Sequence, residues 1–353
     1  MRKLASVQYI HQIEPIEGAD RIELAHVLGW QCVVPKGTFQ VGDLGIYYEI
    51  DSFLPLDWQY EFLKSSSYRK NEIMGEGYRI KTMRMRGQLS QGLLLPLSTF
   101  PDLPPELREK GSDVTSFLGV RKWEVEERAT DFGTIIGTLP PGVPKTDETR
   151  VQSMPELIAE LDRQPYYITT KMDGSSHSVT INRNGEFHVT GHNYEYADDN
   201  KSSFYEFLKK HGIIERLNQY ISEYDYKTLT LQGEFCAPGI QGNPVKLTVP
   251  HWYVFTVIAD GKRCGLVKMR QICYELNVEA VPLEEIGEYF AEKYTTVDAV
   301  LARAEKSTYP TGAKAEGIVV RPIEPCYSPT LGTDLSMKAV SNSYLLKKGK
   351  KNA

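Results

Sequence analysis

The stretch TTKMDGSSHS, residues 169–178, places one lysine between strand-forming residues and a group of small polar ones. Because YYITT leads up to the lysine and is rich in β-formers, we predict a strand that ends at Lys171. Asp173 and Gly174 follow, and a glycine lets the backbone approach a ligand closely. Taken alone, the stretch leaves two interpretations open. One is an exposed lysine before an Asp-Gly turn, which is the commoner case, and the other is a nucleophile whose pKa has been lowered by a pocket.

The sequence around this stretch predicts antiparallel strands interrupted by helices. Asn184-Gly185 lies between two alternating runs, which is a strong hairpin signal. Apolar residues at a spacing of three to four predict a helix from 204 to 224 with a break at Gly212, and helices are also predicted at 268–277 and 283–305. Further strands are predicted at TLTLQGEF (228–235), HWYVFTVIAD (251–260) and AEGIVVRP (315–322). These elements indicate the α+β class.

The first 120 residues have a different pattern, with short apolar or alternating runs separated by Gly, Asp and Pro. The runs are RIELAHVLGWQCVV (21–34), GDLGIYYEI (42–50) and GYRIKTMRMRGQLSQGLLLPL (77–97). Many short strands with frequent turn signals predict a small barrel or sandwich. A Pro-Pro-Gly cluster and mixed charges then indicate a linker. We therefore predict a β-barrel domain at 1–120, a linker at 121–155 and a second domain at 156–353.

Bulk composition excludes several classes of protein. The net charge of −5 gives no global basic field, although a local basic groove is enough to bind nucleic acid. Five scattered cysteines without CxxC spacing argue against a zinc site or a disulfide framework and favour an intracellular, cytoplasmic location. No apolar run is long enough for a membrane span. The chain also lacks HExxH, GxSxG, GxxxxGK[ST] and GxGxxG.

Several other residues have both a structural and a functional interpretation. Glu234 and Glu316 each lie beside a predicted strand; either could reach solvent, or be buried with a partner such as a lysine, a ribose or a metal-bound water. Phe255 is in a strand, where core packing is the default and stacking on a nucleobase is the alternative. Lys338 and Arg150 are ordinary surface charges unless they bind phosphate.

Taken in order, these segments resemble the motifs of the covalent lysine nucleotidyltransferases, which comprise ATP-dependent DNA and RNA ligases and mRNA-capping guanylyltransferases. The segments are KMDGS (171–175), GHN (191–193), LQGEF (231–235), WYVFTV (252–257), AEGIVV (315–320) and SMKAV (336–340). A barrel that precedes the catalytic domain is similar to the RNA ligases of the Deinococcus and Naegleria type. The resemblance implies an oligonucleotide-binding (OB-like) barrel followed by an antiparallel-sheet nucleotidyltransferase domain.

The resemblance also implies a reaction. Lys171 would attack the α-phosphorus of ATP to give lysyl–AMP, the AMP would pass to a 5′-phosphate end, and a 3′-hydroxyl would then displace it. The implied cofactors are ATP and Mg²⁺ or Mn²⁺. The implied partner is nucleic acid with RNA on the 3′-hydroxyl strand, at a nick, and we expect a monomer.

Roles for individual residues follow from the same resemblance. Glu234 and Glu316 would bind ribose or hold the waters of the metal, with Asp173 beside them. Phe255 and Ile318 would enclose adenine, and Lys338 and Arg150 would contact phosphates. The remaining expected nucleotide-binding positions are Thr169, Thr170, Gly174, His192 and Asn193.

Two positions depart from the family pattern. His192 stands where an arginine is common, and Val340 stands where a second lysine is common. Three other functions therefore stay open at this point: a DNA ligase, a GTP-dependent guanylyltransferase, and a non-catalytic RNA-binding protein with a degenerate second domain.

Overall fold

The chain divides into two units, each with its own strands and core. The computed structural model describes residues 2–124, 133–199 and 201–351. The first unit comprises Met1–Glu126, Gln152–Pro155 and Leu345–Ala353, and the second comprises Glu127–Val151 and Glu156–Tyr344. Residues 125–132 of the predicted linker lie outside the described residues.

The first unit is built from short antiparallel strands. They are β1 (Ala5–Tyr9), β2 (Gln12–Pro15), β3 (Ile22–Val27), β4 (Trp30–Pro35), β5 (Leu44–Tyr48), β6 (Ser52–Leu54), β7 (Tyr68–Asn71), β8 (Gly75–Arg79), β9 (Thr82–Met85), β10 (Gln88–Gln91), β11 (Leu93–Pro96) and β12 (Arg121–Lys122). One helix, α1 (Lys64–Ser67), and 3₁₀ turns at Trp58–Leu63, Leu97–Thr99 and Pro105–Leu107 complete it.

Strand pairing in this unit forms four separate ladders rather than one closed ring. Their orders are β1-β5-β11, β2-β3-β4, β9-β10 and β12-β6-β8-β7. The expected barrel is therefore present as an open set of small sheets, because strands this short divide the hydrogen bonding into separate ladders. Apolar faces still enclose two cores, one around Val7, Ile46 and Tyr48, and one around Trp30 and Tyr47.

The second unit contains the other strands and most of the helices. Its strands are β13 (Ile135–Thr138), β14 (Tyr166–Lys171), β15 (Ser175–Asn182), β16 (Phe187–Thr190), β17 (Tyr194–Tyr196), β18 (Thr228–Cys236), β19 (His251–Ala259), β20 (Lys262–Arg263), β21 (Glu279–Ala280), β22 (Leu283–Gly287), β23 (Gly317–Pro322), β24 (Tyr327–Ser328), β25 (Thr333–Asp334) and β26 (Met337–Val340). Its helices are α2 (Leu157–Leu161), α3 (Ser203–Lys210), α4 (Ile213–Glu223), α5 (Leu266–Glu275), α6 (Phe290–Lys293) and α7 (Val297–Ala304), with a 3₁₀ turn at Ile240–Gly242. The last helix, α8 (Asn342–Lys351), begins in this unit and continues beyond Tyr344.

Two sheets organise the second unit. The larger has the order β13-β17-β16-β15-β18-β19-β20, with β21 added parallel to β19, and the smaller has the order β22-β14-β23-β26. The predicted α+β class and the hairpin at Asn184-Gly185 are confirmed. The predicted helix at 283–305 is wrong at its start, because Leu283–Gly287 pairs with β14 and this tertiary pairing outweighs local helix propensity.

The larger sheet carries the main core of the unit. Leu229, Leu231 and Phe235 of β18 are fully buried, and α3 and α4 present Phe204 and Leu217 to the same cluster. Both helices have apolar residues at a spacing of three to four, so one face of each covers the sheet. The smaller sheet has β14 and β23 at its centre. Lys171 is the last residue of β14, and Glu316 directly precedes β23.

We predict that Gly317→Ala lowers the free energy of unfolding by about 1–3 kcal/mol, the usual cost of overpacking. A Cβ at Gly317 would lie 2.0 Å from the carbonyl oxygen of Ala339, so β23 and β26 would have to separate. Gly137→Ala is the matched control, since its Cβ would meet nothing within 4 Å. Thermal or urea unfolding of both variants checks this, and equal stability of the two would contradict the packing described here.

Candidate active site

Lys171 is the last residue of β14 and lies opposite Gly317, the first residue of β23. Its Nζ donates to Glu316 Oε2 at 2.6 Å, and Glu316 directly precedes that opposing strand. The strand register therefore brings the two charges together, although 145 residues separate them in the chain. The lysine side chain is 24% exposed. It is therefore intermediate between the two interpretations that the sequence left open, a free surface charge and a group enclosed in a pocket.

Two opposing effects set the pKa of Lys171. Burial is the larger single effect and lowers it, but the carboxylates of Glu316, Glu234 and Asp173 together hold it above its ordinary value. Lys171 is therefore a protonated ammonium in this state. Its proton can leave only after the surrounding negative charge has been neutralised.

The loop after Lys171 is shaped by Gly174. A Cβ there would lie 2.4 Å from the carbonyl oxygen of Phe235, so only glycine lets the loop approach β18 this closely. At that distance the Gly174 N–H donates to Glu234 Oε1 at 2.9 Å. Asp173 is buried in the same loop and accepts a hydrogen bond from the Tyr344 hydroxyl at the start of α8. The Asp-Gly pair thus fixes two carboxylates next to the lysine.

The carboxyl group of Glu234 is strongly perturbed. Burial raises its pKa to about 7, against the opposing effects of Lys171 and the Gly174 N–H, while Glu316 and Asp173 add to the rise. A buried carboxylate among other carboxylates is costly to ionise. A perturbed pKa of this kind, beside a lysine and a cavity, is typical of a functional site.

A cavity of about 70 Å³ opens beside the lysine. It is lined by Thr146, Glu148, Thr169, Thr170, Lys171, Met172, Glu234, Phe255, Val281, Val319 and Arg321. A larger cavity of about 320 Å³ shares Thr146, Glu148, Phe255 and Arg321 with it. Together they reach the volume of typical small-molecule sites, about 300–1,000 Å³.

Phe255 reaches the cavity because of a bulge in β19. Gln232 lies opposite Thr256 and Gly233 opposite Val254, which leaves Phe255 as the extra residue between them. A bulge redirects a side chain that the regular alternation would place elsewhere. The carbonyl oxygen of Phe255 then accepts from Arg321 Nη1 at 2.6 Å, which fixes the bulge.

The strand register corrects one predicted residue. Ile318 is fully buried, and Val319, the next residue of β23, lines the cavity instead. Side chains on a strand alternate between faces, so a shift of one position moves a residue to the opposite side. Val319, and not the expected Ile318, is therefore the residue of β23 that lines this cavity together with Phe255.

Lys338 and Arg150 are brought together as neighbouring backbones. The two residues form a parallel bridge, and Lys338 bonds through its backbone to Thr149 at 2.8 Å and to Val151 at 3.0 Å. The Lys338 Nζ donates to Asp147 Oδ1 at 2.6 Å. Burial, with smaller contributions from nearby Arg150 and Lys171 and against the opposing effect of Asp147, lowers the pKa of Lys338 to about 8.

The GHN motif contacts the segment that carries Arg150. Lys145 Nζ donates to Asn193 Oδ1 at 3.3 Å, and the His192 ring lies 3.4 Å from the Thr146 hydroxyl. Thr170, in contrast, lines the cavity and donates through its hydroxyl to Glu284 at 2.7 Å. His192 and Asn193 are thus placed at the segment 144–150, and neither lines the small cavity.

The sequence analysis missed four residues of this site. Arg321 donates to Glu148, which lines the small cavity. Tyr344 bonds to Asp173, and the Tyr309 hydroxyl accepts from the Glu316 backbone N–H at 3.0 Å. Each of these contacts joins segments that are far apart in sequence, so local patterns do not predict them. The available signals were the positions of Arg321, directly after AEGIVV, and of Glu148, two residues before Arg150.

Among the described residues, no group of three His, Cys, Asp or Glu side chains is arranged to hold a metal ion directly. All five cysteines are free thiols. No helix in the described part of the chain has both the length and the apolar character that a membrane crossing requires.

Comparisons with known proteins agree with this arrangement. The sequence profile of an OB-fold domain matches residues 4–97, and the profile of the RNA ligase family matches residues 164–340. No curated protein sequence matches the chain.

Solved structures of one protein, Naegleria gruberi RNA ligase, match over the whole chain. The structure with PPi is 34% identical with a TM-score of 0.87, and the match covers 99% of this chain and 100% of that one. Structures of a lysine-to-alanine variant with ATP and Mn and of a glutamate-to-alanine variant with AMP and Mn give the same identity and TM-score, with 99% of each chain covered. On the strength of the profile, the identity and the shared fold, the chain belongs to the RNA ligase family.

Proposed function

We propose that this chain is an ATP-dependent RNA ligase that joins 3′-hydroxyl and 5′-phosphate ends through a lysyl–AMP intermediate formed on Lys171. The observation that carries the proposal is the geometry of Lys171 in a protein of this family. The lysine lies at the edge of a cavity, bonded to Glu316, with Glu234 and Asp173 close enough to alter its pKa. A binding protein without catalysis has no need for three carboxylates around one lysine.

In the first step, the Lys171 Nζ attacks the α-phosphorus of ATP. A P–N bond forms, the bond from the α-phosphorus to the bridging oxygen breaks, and pyrophosphate leaves. The Lys171 ammonium gives up two protons to solvent, one before and one after the attack, and its nitrogen keeps the third. Phe255 and Val319 line the cavity from β19 and β23, so we place the adenine ring between them. Lys338 and Arg150 are the cations we assign to the phosphates. Such a reaction depends mainly on positioning and charge neutralisation.

The three carboxylates fit a hydrated divalent cation. Mg²⁺ prefers oxygen ligands, keeps several waters and is bound through one or two carboxylates, so direct coordination by three side chains is not required. When bound, Mg²⁺ or Mn²⁺ would offset charge on the α-phosphate and favour the neutral form of Lys171. We assign Asp173, Glu234 and Glu316 to hold its waters. Naegleria gruberi RNA ligase has been solved with ATP and Mn, which supports the assignment.

The second and third steps join the ends. The AMP passes from Lys171 to the 5′-phosphate end, and the 3′-hydroxyl then attacks that activated phosphorus and releases AMP. We propose nicks with RNA on the 3′-hydroxyl side as the substrate, a monomeric enzyme, and an intracellular location that suits five free thiols. A DNA ligase and a GTP-dependent guanylyltransferase are the alternatives that the tests below separate.

We predict that α-labelled ATP, with Mg²⁺, labels the wild-type chain through an acid-labile bond and that Lys171→Ala abolishes the label. Lys171 carries the only amine among the residues that line the small cavity, and an acid-labile P–N bond requires an amine. Lys227→Ala is the matched control, since Lys227 is an exposed lysine of the same unit. Labelling by GTP alone would favour guanylyl transfer, and persistent labelling of Lys171→Ala would remove Lys171 from its role.

We predict that nicked duplexes with a terminal ribose on the 3′-hydroxyl strand are sealed at least about tenfold faster than those with a terminal deoxyribose, since a lost hydrogen bond to the 2′-hydroxyl is worth about one power of ten. Sealing rates on otherwise identical nicks check this. Equal rates on the two would instead support a DNA ligase.

The perturbed carboxyl group of Glu234 predicts a pH-dependent gain in stability for Glu234→Gln. Its pKa is raised from 4.5 to about 7 on folding, so ionised Glu234 destabilises the folded state. Below pH 4.5 the carboxyl group is protonated in both the folded and the unfolded state, and this free-energy penalty is absent. The penalty grows between pH 4.5 and 7 and is complete above pH 7. We therefore expect the variant to be more stable than wild type by about 1–3 kcal/mol at pH 8 and equal to it at pH 4.

Glu285→Gln serves as a control of opposite sign. Burial acts against its ionised form, but hydrogen bonds from Lys293, Tyr166 and Tyr294 lower the pKa of Glu285 to about 2. Its ionised form thus stabilises the fold above the ordinary carboxyl pKa, and the amide should lose stability at pH 8. Urea unfolding at pH 4 and pH 8 measures both, and a Glu234→Gln variant that is less stable at pH 8 would contradict the charge balance described.

A further inference from the structure

Glu148 lies in the segment 144–151, which forms part of no helix or strand and contacts the sheets through side chains and through the bridge between Arg150 and Lys338. It lines the small cavity together with Thr169, Thr170 and Phe255, and it also lines the larger one. The group is therefore placed where a base stacked on Phe255 would present its polar edge.

The Glu148 carboxylate is held in a fixed orientation. Arg321 Nη2 donates to its Oε1, and the same guanidinium donates from Nη1 to the Phe255 carbonyl at 2.6 Å and from Nε to the Ser336 hydroxyl at 3.2 Å. One arginine thus fixes both the stacking residue and the carboxylate, so the distance between ring and acceptor is set by a single buried group.

The carboxylate is also ionised. Burial is the largest single effect and raises the pKa of Glu148, but the Arg321 charge and hydrogen bonds from Ser336 and Arg321 lower it below its ordinary value overall. An ionised carboxylate only accepts hydrogen bonds. It can therefore accept a hydrogen bond from an amino group but cannot donate one to a carbonyl oxygen.

We propose that Glu148 accepts a hydrogen bond from the 6-amino group of adenine and so makes the site select ATP over GTP. The inference rests on the proposed function, since it concerns the nucleotide that reacts with Lys171. Guanine has a carbonyl oxygen at that position, and two acceptors facing each other in a cavity are unfavourable. A paired contact to the N1–H and 2-amino group of guanine would use both carboxylate oxygens, and Arg321 and Ser336 already take lone pairs of this carboxylate, whereas the 6-amino group of adenine needs one acceptor site.

The experiment measures labelling of the protein by four α-labelled nucleotides: ATP, GTP, purine riboside triphosphate and 2′-deoxy-ATP. Purine riboside lacks the 6-amino group and is otherwise adenine-like. The wild type should favour ATP over GTP and over purine riboside triphosphate by about 10- to 100-fold, the usual effect of a hydrogen bond to a charged group. Glu148→Gln should bring the ATP:GTP ratio to within about threefold of one, because the amide can also donate to the guanine oxygen, and should lower the ATP:purine-riboside ratio, because a neutral acceptor bonds the 6-amino group more weakly.

Two variants separate recognition from folding. Glu148→Asp retains the charge and should retain part of the preference. Glu285→Gln changes a carboxylate with comparable ion pairs that does not line the cavity, and it should keep the wild-type ratios. Melting curves confirm that each variant is folded at the assay temperature.

The outcomes are distinct. Unchanged ATP:GTP and ATP:purine-riboside ratios in Glu148→Gln would overturn the inference while leaving the ligase assignment intact. A change confined to the ATP:2′-deoxy-ATP ratio would also overturn it, because the carboxylate would then bind the ribose. Absence of labelling by all four nucleotides in the wild type would overturn the proposed function itself.

Discussion

The site depends on one electrostatic arrangement, the Lys171 ammonium surrounded by Glu316, Glu234 and Asp173. Opposite charges stabilise the lysine, but the three carboxylates exceed its single charge. The excess contributes to the raised pKa of Glu234, about 7, which comes mainly from burial and to a lesser degree from Glu316 and Asp173. Surplus negative charge favours the binding of cations, and in the proposed reaction the lysine becomes a nucleophile only when cations offset that charge. The same arrangement thus keeps the resting site unreactive and prepares it for a metal-bound triphosphate.

The backbone around this arrangement is irregular at two points. Phe255 is the extra residue of a bulge in β19, and Glu284 is the residue left over where Ile168 faces Glu285 and Thr169 faces Leu283. The first interruption brings Phe255 to the cavity beside Lys171. The second brings Glu284 to the hydroxyl of Thr170, which lines that cavity. A bulge changes the direction in which a side chain points, so the irregularity in β19 is what adds Phe255 to the cavity.

The order of motifs along the chain was sufficient to predict the fold class, the family and the identity of Lys171 and its two glutamates as neighbours. The lysine-centred cluster could be predicted because each member stands next to a glycine or a strand end that has a recognisable local pattern.

Ile318 could not be placed correctly, since a strand's face depends on its partner's register, and the apolar run IVV gives no alternation from which to infer it. The helix predicted at 283–305 failed for a related reason, because pairing with β14 is a long-range interaction that local propensity does not contain. Glu148, Arg321 and Tyr344 were missed because side chains from distant segments define their contacts.

Glycine contacts have a further consequence for how this site can vary. Added side chains at Gly174, Gly233 and Gly317 would each meet another atom at 2.5 Å or less. Every single-base change in a glycine codon that alters the residue introduces a larger one, so these positions have no neutral first step. Substitution of these glycines around Lys171 is therefore restricted by packing, in addition to any restriction that the reaction imposes on the charged residues. Residues 144–149 line the same cavities and form part of no helix or strand, so a change of side chain there does not have to fit between paired strands.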